Sequence, residues 1–222
     1  AAAFYGFPAR GMRIVGVTGT NGKTTTVGML RYLLDAPTGR AASIGTLGVL
    51  VGQGGDPVDG GAGLTTPGPV ELQRVLRVLA DRGVRTVAME VSSHSLDQQR
   101  VEGVAFAAAV FTNLTRDHLD FHKSMESYTA AKRLLFVPKN GPAPEWAVLN
   151  ADDPASKEME PGPPVNVIWY GLPSTGMVWA SRLSAASTTW TACSGPRMRS
   201  ARARASPASA TANSAPIWRR AR

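Results

Sequence analysis

The stretch Val15-Gly16-Val17-Thr18-Gly19-Thr20-Asn21-Gly22-Lys23-Thr24-Thr25-Thr26 constrains the fold more than any other. The apolar run Met12 to Val17 before the glycines reads as a buried strand. The segment Thr24 to Leu34 carries Val27, Leu30 and Leu34 on one helical face. Strand, glycine turn and helix start together make an anion site. Small residues let backbone N–H groups close round a phosphate, and the helix dipole favours negative charge there. Lys23 would reach the outer phosphates and the Thr24 hydroxyl would hold Mg²⁺. One position departs from the usual pattern: Val17 stands where a glycine is expected, five residues before Gly22. The alternative is an ordinary strand-to-helix turn with a solvated lysine. Gly-Lys-Thr directly after a strand favours a nucleoside-triphosphate loop.

Further strands and helices alternate along the chain. Ala41 to Val51 reads as a strand and 52–63 as a glycine-rich loop. A helix follows with Pro69 in its first turn, an apolar stripe of Val70, Val75, Leu76 and Leu79, and Gly83 at its end. Strands are expected at Val84 to Val91, Phe106 to Thr112, Trp146 to Asn150 and, as the last one, Val165 to Tyr170. Ser124 can cap a helix that Pro138 stops. Strands apolar on both faces, alternating with helices, predict an α/β fold: a parallel sheet with helices on both faces.

The polar clusters fall at strand ends, where an open parallel sheet binds its ligands. Lys23 and Thr24 follow the first strand, and Glu90 with Ser92, Ser93 and His94 ends another. Asn113 and the run Arg116-Asp117-His118-Leu119-Asp120-Phe121-His122 follow a third. Glu90 reads either as a carboxylate at a wet strand edge or as a ligand of Mg²⁺. An acid ending an apolar strand favours the metal. His118 and His122 superficially resemble a zinc pair, but their segment looks like loop, and one histidine helping to hold a second Mg²⁺ fits better. Met125, Tyr128, Lys132 and Leu135 follow 3-4-3 spacing, so Lys132 lies on a core-facing stripe and Arg133 turns outward. On spacing alone, Lys132 reads as a lysine snorkelling from the edge of that stripe.

Charge divides the 222-residue chain in two. Residues 1–160 hold 16 basic and 16 acidic side chains, so the net charge of +8 comes entirely from eight arginines in 161–222. The excess therefore says nothing about partners of the folded part, and neither nucleic acid nor membrane is expected among them. One cysteine, Cys193, excludes an internal disulfide and fits a reducing, cytoplasmic setting. No run of eighteen apolar residues is present, and the start shows no signal-peptide pattern. From about Gly171 onward, Ala, Ser and Arg supply 29 of 52 residues and acids are absent, so no core is expected. A basic nucleic-acid-binding tail is one reading. A shifted reading frame in GC-rich coding DNA is preferred, because isolated tryptophans accompany arginine without lysine.

The strings GVTGTNGKTTT (16–26), TTPGP (65–69), MEVSSHSLDQQRV (89–101), FTNLTRDHLDFHKSMESYTAAKRLLF (111–136) and LNADDP (149–154) resemble the Mur ligase family, the ATP-dependent amide-forming enzymes of peptidoglycan synthesis. The long EVSSHSL and NLTRDHLDFH strings resemble the type that adds a diamino acid as third peptide residue. They disfavour folylpolyglutamate synthases, which share the glycine loop. A non-catalytic nucleotide-binding remnant is the other alternative.

The resemblance implies a partial central ATP-binding domain over 1–170, and the composition of 171–222 implies a disordered, out-of-frame tail. The resemblance also implies that Gly19, Thr20, Asn21, Gly22, Lys23, Thr24 and Thr25 bind ATP. Thr24 and Glu90 would hold one Mg²⁺, while His118 and a carbamylated Lys132 would hold a second. Thr65, Thr66, Ser92, Gln98 and Arg100 match positions that bind a UDP-linked muramoyl dipeptide. The asparagine expected before the two threonines is Leu64 here. The amine would come from diaminopimelate or lysine, and the enzyme would be a cytoplasmic monomer. The family's uridine-binding and C-terminal domains have no counterpart in the sequence, so this chain alone is expected to form no tripeptide.

Overall fold

The computed structural model describes residues 1–61, 63–117, 119–172 and 179–182. A short 3-10 turn, Pro8–Gly11, precedes β1 (Arg13–Thr18), α1 (Lys23–Leu34), β2 (Arg40–Gly45), β3 (Gly48–Val51), β4 (Asp56–Val58) and α2 (Pro69–Asp81). Then come β5 (Val84–Glu90), α3 (Ser93–Asp97), β6 (Ala108–Phe111), α4 (Leu119–His122), α5 (Met125–Arg133), β7 (Trp146–Asn150), α6 (Ser156–Met159), β8 (Asn166–Tyr170) and β9 (Trp179–Arg182). They form one sheet in the order β4-β3-β2-β5-β1-β6-β7-β8-β9. The six strands from β2 to β8 in that order pair in parallel, as expected. The edge strands β3, β4 and β9 pair antiparallel.

Helices cover both faces. On one, Val27 and Leu30 of α1 pack on Val15, Val17, Ala88 and Val110. On the other, α2, α6 and the turn after α5 cover Ile14, Val87, Met89, Ala109, Phe111 and Leu149. The chain after β1 moves toward β2 and the chain after β5 crosses to β6. The carboxyl end of β1 is therefore the switch point of the sheet, where such folds open a crevice.

Five local expectations are corrected. Ala41 to Val51 is not one strand but the β2–β3 hairpin. Gly48 has φ 84°, and a Cβ on Gly45 would lie 2.2 Å from Glu90 Oε1, so the two glycines bracket a Thr46-Leu47 turn. The glycine-rich loop 52–63 contains β4, which borrows its hydrogen bonds from β3. The buried stripe of α2 is Leu72, Val75, Leu76 and Leu79, whereas Val70 is 61% exposed. The i, i+3, i+4, i+7 spacing runs from Leu72, and each buried leucine contributes about 1.5–3 kcal/mol. The segment before His122, expected as loop, holds the one-turn helix α4. Beyond Tyr170, β9 pairs with β8 where no further strand was expected. The expected disorder of 173–178 and 183–222 falls on residues outside the described ones.

Candidate active site

The phosphate loop is braced from β6. Gly22 caps α1 at φ 84°, a left-handed conformation that suits glycine. Gly19 meets the end of β6 closely, where a Cβ would sit 1.9 Å from Thr112 Oγ1. The Thr20 amide donates to the Asn113 carbonyl (2.8 Å), and the Asn21 amide to Asn113 Oδ1 (2.9 Å). Thr112 Oγ1 donates to the Asn21 carbonyl at 2.6 Å, and Asn150 Nδ2 to the Thr112 carbonyl at 2.7 Å. The first N–H groups of α1 have no carbonyl one turn earlier to accept them, so this fixed loop presents donors and a positive dipole end.

Two lysines converge on the loop. Lys23 Nζ donates to the carbonyls of Gly19 (2.9 Å) and Thr20 (2.8 Å). Lys132, 1% exposed, donates from Nζ to the Gly19 carbonyl at 2.9 Å and lies 4.3 Å above the ring of Tyr128. Tyr128 is buried on α5 and Arg133 is exposed, as the spacing implies, but α5 ends at Arg133, short of the helix expected to run to Pro138, and the buried Leu135 lies in the turn after it. Lys132 points inward, not to bulk solvent. Burial, with repulsion from Lys23 next, lowers the Lys132 amine to about 7, while Asp117 opposes the shift. Burial also lowers Lys23, against the attraction of Glu90 and Asp117.

Glu90 sits at the carboxyl end of β5 and is 1% exposed. Its Oε1 accepts from the Thr46 amide (2.9 Å) and its Oε2 from Thr46 Oγ1 (3.3 Å). The β2–β3 turn thus aims the carboxylate, a role that the sequence reading of a single strand missed. Gly45 and Gly48, with two residues between them at the turn, were the available signal.

Thr65 Oγ1 lies 3.4 Å from Thr46 Oγ1 and donates to it, because the one Thr46 hydroxyl hydrogen goes to Glu90. Thr66 Oγ1 donates to the Glu90 carbonyl (2.9 Å) and accepts from the Ser92 amide (3.1 Å). Arg100 bonds the Thr66 carbonyl and Gln98 Oε1. Thr65, Thr66, Ser92, Gln98 and Arg100 therefore form one web beside Glu90. Thr24 lies in the first turn of α1, and His118 is outside the described residues. His122, the other member of the histidine pair, bonds Ser93 Oγ at 2.9 Å and stacks on Tyr128. A separate cleft of about 380 Å³, lined by Leu96, Val101, Phe106 and Leu135, lies at the amino edge of the sheet, away from these groups.

A strand–glycine loop–helix anion site at the switch point of a parallel sheet defines a nucleotide-binding α/β domain of the phosphate-loop class. The family profile "Mur ligase middle domain" matches residues 17–198, past residue 170, where the motif resemblance stops. The chain belongs to the Mur ligase middle domain family. It is 46% identical over 192 residues to the UDP-N-acetylmuramoyl-L-alanyl-D-glutamate–2,6-diaminopimelate ligase of Geobacter metallireducens, covering 83% of this chain and 36% of that protein. A solved structure of a ligase of the same name is 33% identical with a TM-score of 0.58, over 72% of this chain and 32% of the other. A folylpolyglutamate synthase/dihydrofolate synthase with Mn, AMPPNP and L-glutamate bound shares the fold at 21% identity and a TM-score of 0.52, over 77% and 46% of the two chains. The chain spans a little over a third of the length of these curated relatives. Among the described residues, no helix is long and apolar enough to cross a membrane.

Proposed function

We propose that this chain is the ATP-binding part of a ligase that adds a diamino acid, diaminopimelate or lysine, to UDP-N-acetylmuramoyl-L-alanyl-D-glutamate. The observation that carries it is the inward position of Lys132 against Gly19. A loop that merely held a nucleotide needs one lysine, whereas a second, buried one of low basicity supplies a modifiable amine beside the phosphates. A neutral amine can attack CO₂ and lose a proton, which turns a cation into a carboxylate-like ligand.

The donors present suit Mg²⁺, a hard ion that takes oxygen ligands. Thr24 and Glu90 would hold one ion, and His118 with the Lys132 carbamate a second. Bound there, Mg²⁺ would neutralise charge on the transferred phosphoryl group. Gly19 to Thr25 and the α1 dipole would seat the phosphates, and Lys23 would leave its loop carbonyls to follow the outer ones. Thr65, Thr66, Ser92, Gln98 and Arg100 would orient the dipeptide so that its D-glutamyl carboxylate attacks the γ-phosphate, giving an acyl phosphate and ADP. The amine then displaces phosphate to form the amide. We place the protein in the cytoplasm as a monomer.

The test is a chimera in which residues 13–170 replace the matching segment of the full-length Geobacter metallireducens ligase. Amide formation that requires ATP, the UDP-muramoyl dipeptide and diaminopimelate or lysine supports the proposal. A folded chimera that binds ATP yet forms no amide with either amine refutes it.

A further inference from the structure

Tyr128 is fully buried on α5, and its phenol oxygen lies 3.2 Å from Thr20 Oγ1 in the phosphate loop. That threonine hydroxyl donates its single hydrogen to the Thr115 carbonyl (3.2 Å) and accepts from the Thr115 amide (3.0 Å). The bond to Tyr128 must then run from the phenol O–H to Thr20. Burial raises the phenol's basicity, so it stays protonated and remains a donor through the neutral range.

The ring carries contacts as well. Lys132 Nζ stands 4.3 Å over it, and the His122 ring lies 5.2 Å away at a 35° tilt. His122 Nε2 is 2.9 Å from Ser93 Oγ at the start of α3. One helical turn separates Tyr128 from Lys132, and the two reach successive loop residues, Thr20 and Gly19. From these contacts we infer that Tyr128 is a positioning residue: it sets the phosphate loop against Lys132 and ties it to the segment beginning at Thr115, while His122 and Ser93 hold its ring. The inference rests on the nucleotide-binding reading above. A residue that served only to fill the core would need the ring and not the hydroxyl.

The test compares the 222-residue chain with Tyr128→Phe, Thr20→Val, the double variant and Thr20→Ser. ATP affinity is read by calorimetry with Mg²⁺ present, and amide hydrogen exchange at Thr115 by NMR without nucleotide. Loss of one neutral hydrogen bond predicts about fivefold weaker ATP binding and faster Thr115 exchange in Tyr128→Phe. Thr20→Val, which also removes both bonds to Thr115, should lose at least as much, the double variant should be no worse than Thr20→Val, and Thr20→Ser should stay near wild type. Unchanged Thr115 protection in Tyr128→Phe, or additive losses in the double variant, would overturn the role. Failure of the wild-type chain to bind ATP would refute the nucleotide reading instead, and Thr115 exchange would still decide the position of Tyr128.

Discussion

Lys23 and Lys132 donate to the same acceptor, the Gly19 carbonyl oxygen, each at 2.9 Å. Two ammonium groups on one oxygen repel each other. The deeper of the two, Lys132, is the one lowered to about 7, from an ordinary value of 10.5. Its folded value lies below the unfolded one, so between pH 7 and 10.5 the unfolded chain binds the extra proton. Stability must therefore rise with pH across that window and level off below it. The difference in urea-unfolding free energy between wild type and Lys132→Met, measured from pH 6 to 10, should change in favour of the wild type as pH rises. A difference independent of pH would mean that Lys132 titrates normally.

The same lowered value bears on the carbamate. With the amine near 7, roughly ten neutral lysines face each charged one at pH 8, an unusual supply of nucleophile for a buried lysine. In ¹³C-bicarbonate with Mg²⁺ and ATP, wild type should give a carbamate resonance that Lys132→Arg lacks. The arginine keeps a positive charge near the loop but cannot be carbamylated. A resonance of equal size in both proteins would place the modification elsewhere.

The parallel sheet, the phosphate loop and the inward stripe of α5 were legible in the sequence, because each rests on local pattern: an apolar run, a glycine turn, a 3-4-3 spacing. The β2–β3 hairpin was not. Its run is largely apolar, broken by Ser43 and Thr46, and the turn shows only in Gly48, at φ 84°, and in Gly45, over which Glu90 needs the space. The stripe of α2 was misplaced by two residues at Val70 because an apolar residue beside Pro69 looked like part of the face. The depth of Lys132 was only partly legible. Spacing put it on the core face, but only the fold shows that Gly19, far away in sequence, supplies its partner.

Gly19 offers a backbone test. Its φ is 149°, and an added Cβ would fall 1.9 Å from Thr112 Oγ1 and 3.0 Å from the Asn113 amide nitrogen. One of these neighbours is backbone, that of Asn113 just beyond β6, whose carbonyl accepts the Thr20 amide, so the loop must move instead. Gly19→Ala should lower stability by about 1–3 kcal/mol and weaken ATP binding at least tenfold, read by chemical denaturation and calorimetry. Wild-type stability in that variant would mean that the contact with β6 yields freely.

Glu90 separates the metal role from a purely structural one. Its carboxylate is 1% exposed and accepts two bonds from Thr46, so removing the side chain would collapse the β2–β3 turn and prove nothing about metal. Glu90→Gln keeps the shape and one carbonyl acceptor for the Thr46 amide, while removing the charge that Mg²⁺ requires. If Glu90 serves only to hold the turn, ATP affinity should respond to Mg²⁺ in the variant as it does in wild type. If it is a metal ligand, Mg²⁺ should tighten ATP binding in wild type and at least tenfold less in Glu90→Gln, with affinities in EDTA nearly equal. The same Mg²⁺ enhancement in both proteins would leave the carboxylate as a brace for Thr46 and move the ion to other oxygens of the site.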